Sequence, residues 1–233
     1  MEYTNEYGVY GDPRFPRADS PLKRKKILFC GDSICAAAVY DYKELLRWGW
    51  ALRISSATGA KVCNLGLDGA SFSTCRGENR IIRQILFAEG TDPEIIVLHG
   101  GVNEAWDSNE PGKMTAGFEP SSFDVATCAG GFEELLYETK KRFPKAKICY
   151  IANYAGPSCR IGRISNMDDY FDEIVKICKK WEIPCLDLYH NAEFSKEFRV
   201  TEKVYTADYI HPNAAGYDVL YKPVQAFLEG LVR

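Results

Sequence analysis

The stretch Lys26-Ile27-Leu28-Phe29-Cys30-Gly31-Asp32-Ser33-Ile34 passes directly from an apolar run into a glycine turn carrying a carboxylate and a hydroxyl. An apolar run without polar alternation suits a strand covered on both faces, as in a parallel sheet. Four similar runs follow at Lys61–Leu65, Glu94–Leu98, Lys147–Ala152 and Pro184–Leu188. Between them the period becomes helical. Phe132, Leu135, Leu136, Thr139 and Phe143 share one face, as do Met167, Tyr170, Phe171, Ile174, Val175, Cys178 and Trp181. Further helices are expected within Tyr42–Thr58 and Arg76–Ala88. A last one holds Tyr217, Leu220, Tyr221, Val224, Phe227, Leu228 and Leu231, with a kink or break at Pro223. Strand alternating with helix predicts an α/β domain over residues 26–233, with a five-stranded parallel sheet and helices on both faces. Residues 1–25 contain Pro13, Pro16 and Pro21, lack an apolar period, and read as an extended N-terminal arm. Two long loops, 104–124 and 154–166, are expected to be functional or disordered, and as functional loops to shape the acyl and leaving-group pockets.

The charge balance narrows the partners. With 29 basic and 32 acidic side chains scattered along the chain, no basic stripe suits a nucleic-acid backbone. The run Lys23-Arg24-Lys25-Lys26 reads as a solvated lead into the first strand. No apolar run reaches the roughly 18 residues of a membrane span, and the first twenty residues lack the apolar stretch of a signal peptide. Of the nine cysteines, Cys30, Cys63, Cys149, Cys178 and Cys185 lie in apolar runs, where a thiol acts as a small hydrophobe. Without C-x-x-C pairs this usage points to a reducing, cytoplasmic setting. Cys35 stands apart, two residues beyond Ser33.

In an open parallel sheet, ligands bind beyond the carboxyl ends of the strands. Gly31-Asp32-Ser33 follows the first run, and Asn64, Gly66 and Gly69 follow the second. Gly100-Gly101-Val102-Asn103 follows the third, Asn153 the fourth, and Asp208-Tyr209-Ile210-His211-Pro212 stands near the end. Acyl transfer needs these residue types. A serine hydroxyl becomes a competent nucleophile when an imidazole takes its proton, and a carboxylate fixes the tautomer of that imidazole. Three residues apart, Asp208 can reach Nδ1 of His211 and leave Nε2 for Ser33. Backbone N–H groups at glycines and an asparagine amide can then stabilise an oxyanion.

Rival motifs are missing. Cys35 stands where a Gly-x-Ser-x-Gly elbow needs glycine, and there is neither a Walker A loop nor a Gly-x-Gly-x-x-Gly run. Three widely separated histidines do not suggest a metal site.

Gly-Asp-Ser, the second-block glycine, Gly-x-Asn and Asp-x-x-His, in that order between Ile27 and Gly216, resemble the four blocks of the SGNH (GDSL-like) hydrolase family. The resemblance implies a three-layer α/β/α sandwich similar to flavodoxin. It also implies a triad of Ser33, His211 and Asp208, an oxyanion hole from Ser33, Gly69 and Asn103, and no cofactor. Gly69 fits the second block better than Gly66, lying five residues past Asn64. The sequence departs from the family at Glu104, where aspartate is usual, which puts loop geometry in question. It also departs at Ile34, where leucine is usual.

His99 reads as a hydrogen-bonded core histidine, and His190 as a residue without a motif around it. Trp106 and Phe118, in the first long loop, are expected to pack onto the body. The functional alternative is stacking on a sugar or lining an acyl slot. Arg160 and Arg163 read as solvated charge. These readings make the chain a carboxylic-ester hydrolase acting on a small-molecule ester, with an acetyl group on a carbohydrate as the favoured substrate. A lysophospholipase, a thioesterase or an acyltransferase would share the fold, and a non-catalytic carbohydrate-binding protein is the reading from another class.

Overall fold

A computed structural model describes residues 19–37, 49–155, 167–200 and 204–233. Five parallel strands form one sheet: β1 (Lys26–Cys30), β2 (Lys61–Asn64), β3 (Ile95–His99), β4 (Lys147–Ile151) and β5 (Cys185–Leu186), in the order β2-β1-β3-β4-β5. Ile27 pairs with Val62 on one side and Ile95 on the other, which makes the first apolar run an interior strand of the sheet. Ile27, Leu28, Phe29 and Cys30 are fully buried. That burial explains the missing alternation, because the strand has no face left for water.

The described helices are α1 (Ser33–Ala36), α2 (Trp50–Thr58), α3 (Ile81–Phe87), α4 (Val102–Trp106), α5 (Cys128–Arg142), α6 (Met167–Lys180), α7 (Ala192–Val200) and α8 (Ala214–Val232). α2 packs against α8, while α3, α5 and α6 pack side by side. The result is a three-layer α/β/α sandwich. Arg53 ties α2 to α8, with Nε 2.8 Å from Asp218 Oδ1 and the guanidinium over the Tyr217 ring.

Of the kink or break expected at Pro223, the break does not occur. α8 runs unbroken from Ala214 to Val232. A mid-helix proline costs about 3 kcal/mol. Leu220, on one side of it, and Val224 and Leu228, on the other, are fully buried, and each such side chain contributes roughly 1.5–3 kcal/mol. Core packing therefore holds the helix through its weak point.

The first long loop also contains more order than its composition suggested. α4 occupies its start and a short 3₁₀ turn, Pro120–Ser122, lies near its end. Buried Glu133 anchors the middle: Oε2 accepts the Thr115 amide at 2.9 Å, and Oε1 accepts Lys180 Nζ at 2.5 Å and Trp181 Nε1 at 3.1 Å. Arg160, Arg163, Cys159 and most of the second loop lie outside the described residues, as do residues 1–18 of the arm. Of the remainder of the arm, Leu22 is buried in the core, and the Ser20 hydroxyl donates to Glu229 Oε1 at 2.7 Å.

Candidate active site

Ser33 is the first residue of α1, immediately beyond β1, where its amide has no intrahelical acceptor. Asp32 caps the helix by accepting the Ile34 amide at 2.9 Å. The turn is held from several sides. Gln84 on α3 grips the Gly31 backbone twice, accepting its N–H and donating to its carbonyl, each at 2.8 Å. Asn64, at the end of β2, donates to Cys35 O at 2.8 Å, and the Tyr217 hydroxyl on α8 donates to Ile34 O at 2.9 Å. Gln84 and Tyr217 lay beyond sequence reasoning because their bonds are made across the core and no local pattern marks them.

His211 lies in the turn before α8. Its Nε2 is 2.8 Å from Ser33 Oγ, and its Nδ1 is 2.7 Å from Asp208 Oδ2. The other oxygen of Asp208 accepts the amides of Ile210 and His211 at 3.1 and 2.8 Å, so the carboxylate closes its own turn while facing the ring. Burial opposes the charge on Asp208, but the hydrogen bonds and charge of His211 outweigh it and hold the carboxyl below its ordinary value. Burial likewise disfavours the His211 imidazolium. Asp208, aided by the charges of Asp32 and Asp68, more than compensates, so the imidazole pKa lies above its usual value.

Ser33, His211, Asp208, Gly69 and Asn103 line one cavity of about 310 Å³. Gly69 has φ +70°, a left-handed conformation that side chains resist. Gly66 serves packing instead, since a Cβ there would lie 2.5 Å from the Ala36 amide nitrogen. Asn103 donates one amide hydrogen to Ala70 O at 2.9 Å, which leaves the second available to the cavity. The neighbouring Glu104 is fully buried and accepts the amides of Phe72 and, at 3.1 Å, Ser73. Burial pushes its pKa up to about 7. The longer side chain at this position thus reaches back to the strand-like segment that follows Gly69. Arg76 adds a further brace that the sequence did not signal, donating to Gly69 O at 3.1 Å and pairing in bidentate fashion with Asp107.

The sequence profile of the GDSL-like lipase/acylhydrolase family matches residues 29–219. The chain belongs to that family. Membership implies hydrolase activity on esters, and the solved structures that this GDSL-like hydrolase resembles share its fold. A protein of Lactobacillus plantarum superposes with TM-score 0.72 at 22% identity, over 90% of this chain and 98% of that one. A member of the lipolytic G-D-S-L family from Veillonella parvula gives 0.62 at 16%, over 87% and 97%. A variant of an acetyl-xylooligosaccharide esterase from a Geobacillus gives 0.60 at 18%, over 90% and 96%. No curated protein is similar enough to count as a match.

The remaining singled-out residues divide clearly. His99 is buried, its Nδ1 donating to Ile151 O at 2.9 Å and its ring set edge-on to Trp50. His190 corrects the sequence reading: Asp187 stands three residues before it and faces its Nδ1 at 2.7 Å, so it carries the same local motif as His211. Cys35 is buried, and that burial drives its thiol pKa far upward, which keeps it protonated. The described cysteines are free thiols. Among the described helices none is long and apolar enough to cross a membrane.

Proposed function

We propose that the GDSL-like hydrolase cleaves carboxylic esters through an acyl-serine intermediate at Ser33. The observation that carries this reading is the continuous relay from Ser33 Oγ to His211 Nε2 and from His211 Nδ1 to Asp208. Asp208 accepts the Nδ1 hydrogen, so the Nε2 lone pair faces the serine hydroxyl. His211 takes the hydroxyl proton as Oγ bonds to the ester carbonyl carbon. The carbonyl electrons move onto oxygen, where the amides of Ser33 and Gly69 and the Asn103 side chain donate. Collapse expels the alcohol, which takes the proton from His211. Water, deprotonated by the same imidazole, then attacks the acyl-serine, releasing the acid and regenerating the hydroxyl.

A small acyl group, acetyl on a carbohydrate, is the favoured substrate. The modest cavity supports it, and so does the likeness to a fold whose Geobacillus member is an acetyl-xylooligosaccharide esterase. A series of alkyl esters of increasing acyl length tests this preference. Highest kcat/KM at acetyl is expected, and an optimum at long chains would overturn it. Ser33→Ala tests the mechanism: turnover should nearly vanish, and adding Asp208→Asn should cost little more because the relay acts as a unit.

A further inference from the structure

The two exposed aromatics of the first long loop have different settings. Phe118 is half exposed, yet its ring meets Trp181 edge-on at 4.9 Å and lies under the Lys180 ammonium at 4.7 Å. Its exposure belongs to a packed surface cluster. Trp106 is 42% exposed, and among the described residues no ring packs on its indole. It forms part of the wall of the cavity that holds Ser33, Asn103 and His211.

The placement follows from local geometry. α4 begins beside the oxyanion candidate Asn103, and Trp106 lies three residues further on, on the same helical face. The next residue, Asp107, locks the Arg76 guanidinium through two hydrogen bonds of 2.5 and 2.8 Å. Arg76 also holds Gly69 O, so the indole sits on a helix end braced against the oxyanion loop. A guanidinium carries five N–H donors, of which these bonds use three, and Arg76 itself lines the same cavity. A flat apolar face beside fixed polar donors matches a pyranose, whose ring C–H face is apolar and whose edge bears hydroxyls.

We propose that Trp106, flanked by Arg76, is the platform on which the sugar ring of the leaving alcohol stacks, making Trp106 a specificity-determining residue. This rests on the sugar-ester reading above. The acyl carbonyl occupies the Ser33–Asn103 end of the cavity, and the alcohol side extends along the indole. Trp106 touches no bond that breaks, so its contribution is to substrate binding.

The test measures acid release by pH-stat from a fully acetylated methyl xyloside and from ethyl acetate, which lacks both a sugar and an aromatic ring. Trp106→Ala should raise KM for the acetylated xyloside by about tenfold with kcat within about twofold, a several-fold larger loss of kcat/KM than the same variant shows on ethyl acetate. Trp106→Phe should recover much of the loss. An unchanged KM for the xyloside, or equal losses on both esters, would overturn the platform while leaving the esterase reading intact. Wild-type protein that cleaves ethyl acetate but not the xyloside would instead overturn the sugar-ester reading, and the platform with it.

Discussion

Two Asp-x-x-His turns in this molecule have nearly the same internal geometry and different surroundings. Asp208 and Asp187 each face the Nδ1 of a histidine three residues later at 2.7 Å, and each accepts that histidine's own amide, at 2.8 and 3.1 Å. The difference lies beyond the ring. His211 turns its Nε2 to the Ser33 hydroxyl at 2.8 Å, whereas His190 turns its Nε2 to the Asp172 carboxylate at 3.0 Å. The His211 side chain is 12% exposed and the His190 side chain 40%. The motif alone therefore builds a carboxylate-oriented imidazole. Acyl transfer requires a hydroxyl with somewhere to send its proton, and of the two turns it is the Asp208–His211 turn that faces one, Ser33 beyond the carboxyl end of β1.

The comparison can be broken most severely by exchanging which histidine is removed. His211→Ala should lower kcat by about 10⁴-fold or more, whereas His190→Ala should leave kcat within about twofold, both read by steady-state ester hydrolysis. Comparable losses in the two variants would erase the distinction. Asn103→Ala should follow, with kcat reduced about a hundredfold and KM little changed, if its amide serves the oxyanion. Retention of near-normal kcat would remove Asn103 from the mechanism.

The pH profile sharpens the same contrast with a smaller effect. The base must be neutral, and the pKa of His211 lies above its usual value. kcat/KM should therefore rise with pH through an apparent pKa above the ordinary imidazole value of about 6.5. Asp208→Asn should move that inflection downward, and Asp187→Asn should leave it in place.

The smallest effect concerns Glu104. Its carboxyl has a folded pKa of about 7, raised by burial, so the folded state binds this proton more tightly than the unfolded chain does. Its contribution to stability is fully present below the unfolded value and declines as pH rises toward about 7. Glu104→Gln keeps an acceptor for Phe72 and Ser73 without that titration. The melting temperature of the variant relative to wild type should be higher at pH 8 than at pH 5, and the reverse ordering would contradict the burial argument.

Much of this was legible because buried parallel strands carry an unbroken apolar signature. β1 and β4 begin where the apolar runs do, while β5 shrinks to Cys185–Leu186 at the sheet edge, after a proline that lacks a ladder donor. α1 and α4 were not legible, since helices of four and five residues show no period. Ser33, His211 and Asp208 could be singled out because each follows a strand or closes a short turn. The braces from Gln84, Arg76 and Tyr217 are tertiary bonds between residues far apart in sequence, which no local pattern encodes. Glu104 shows how a departure from a family pattern can be absorbed. Its extra methylene still delivers a carboxylate to two amides beyond Gly69. The Asp187–His190 spacing is plain in the sequence, but what stands opposite its imidazole, the Asp172 carboxylate, is set by tertiary packing.

The most direct test is covalent labelling of Ser33 by a fluorophosphonate, with the site mapped by mass spectrometry. A single adduct at Ser33 is expected in the wild type and in His190→Ala at similar rates, with labelling of His211→Ala slowed by orders of magnitude. Absence of an adduct at Ser33, or undiminished labelling without His211, would contradict the account.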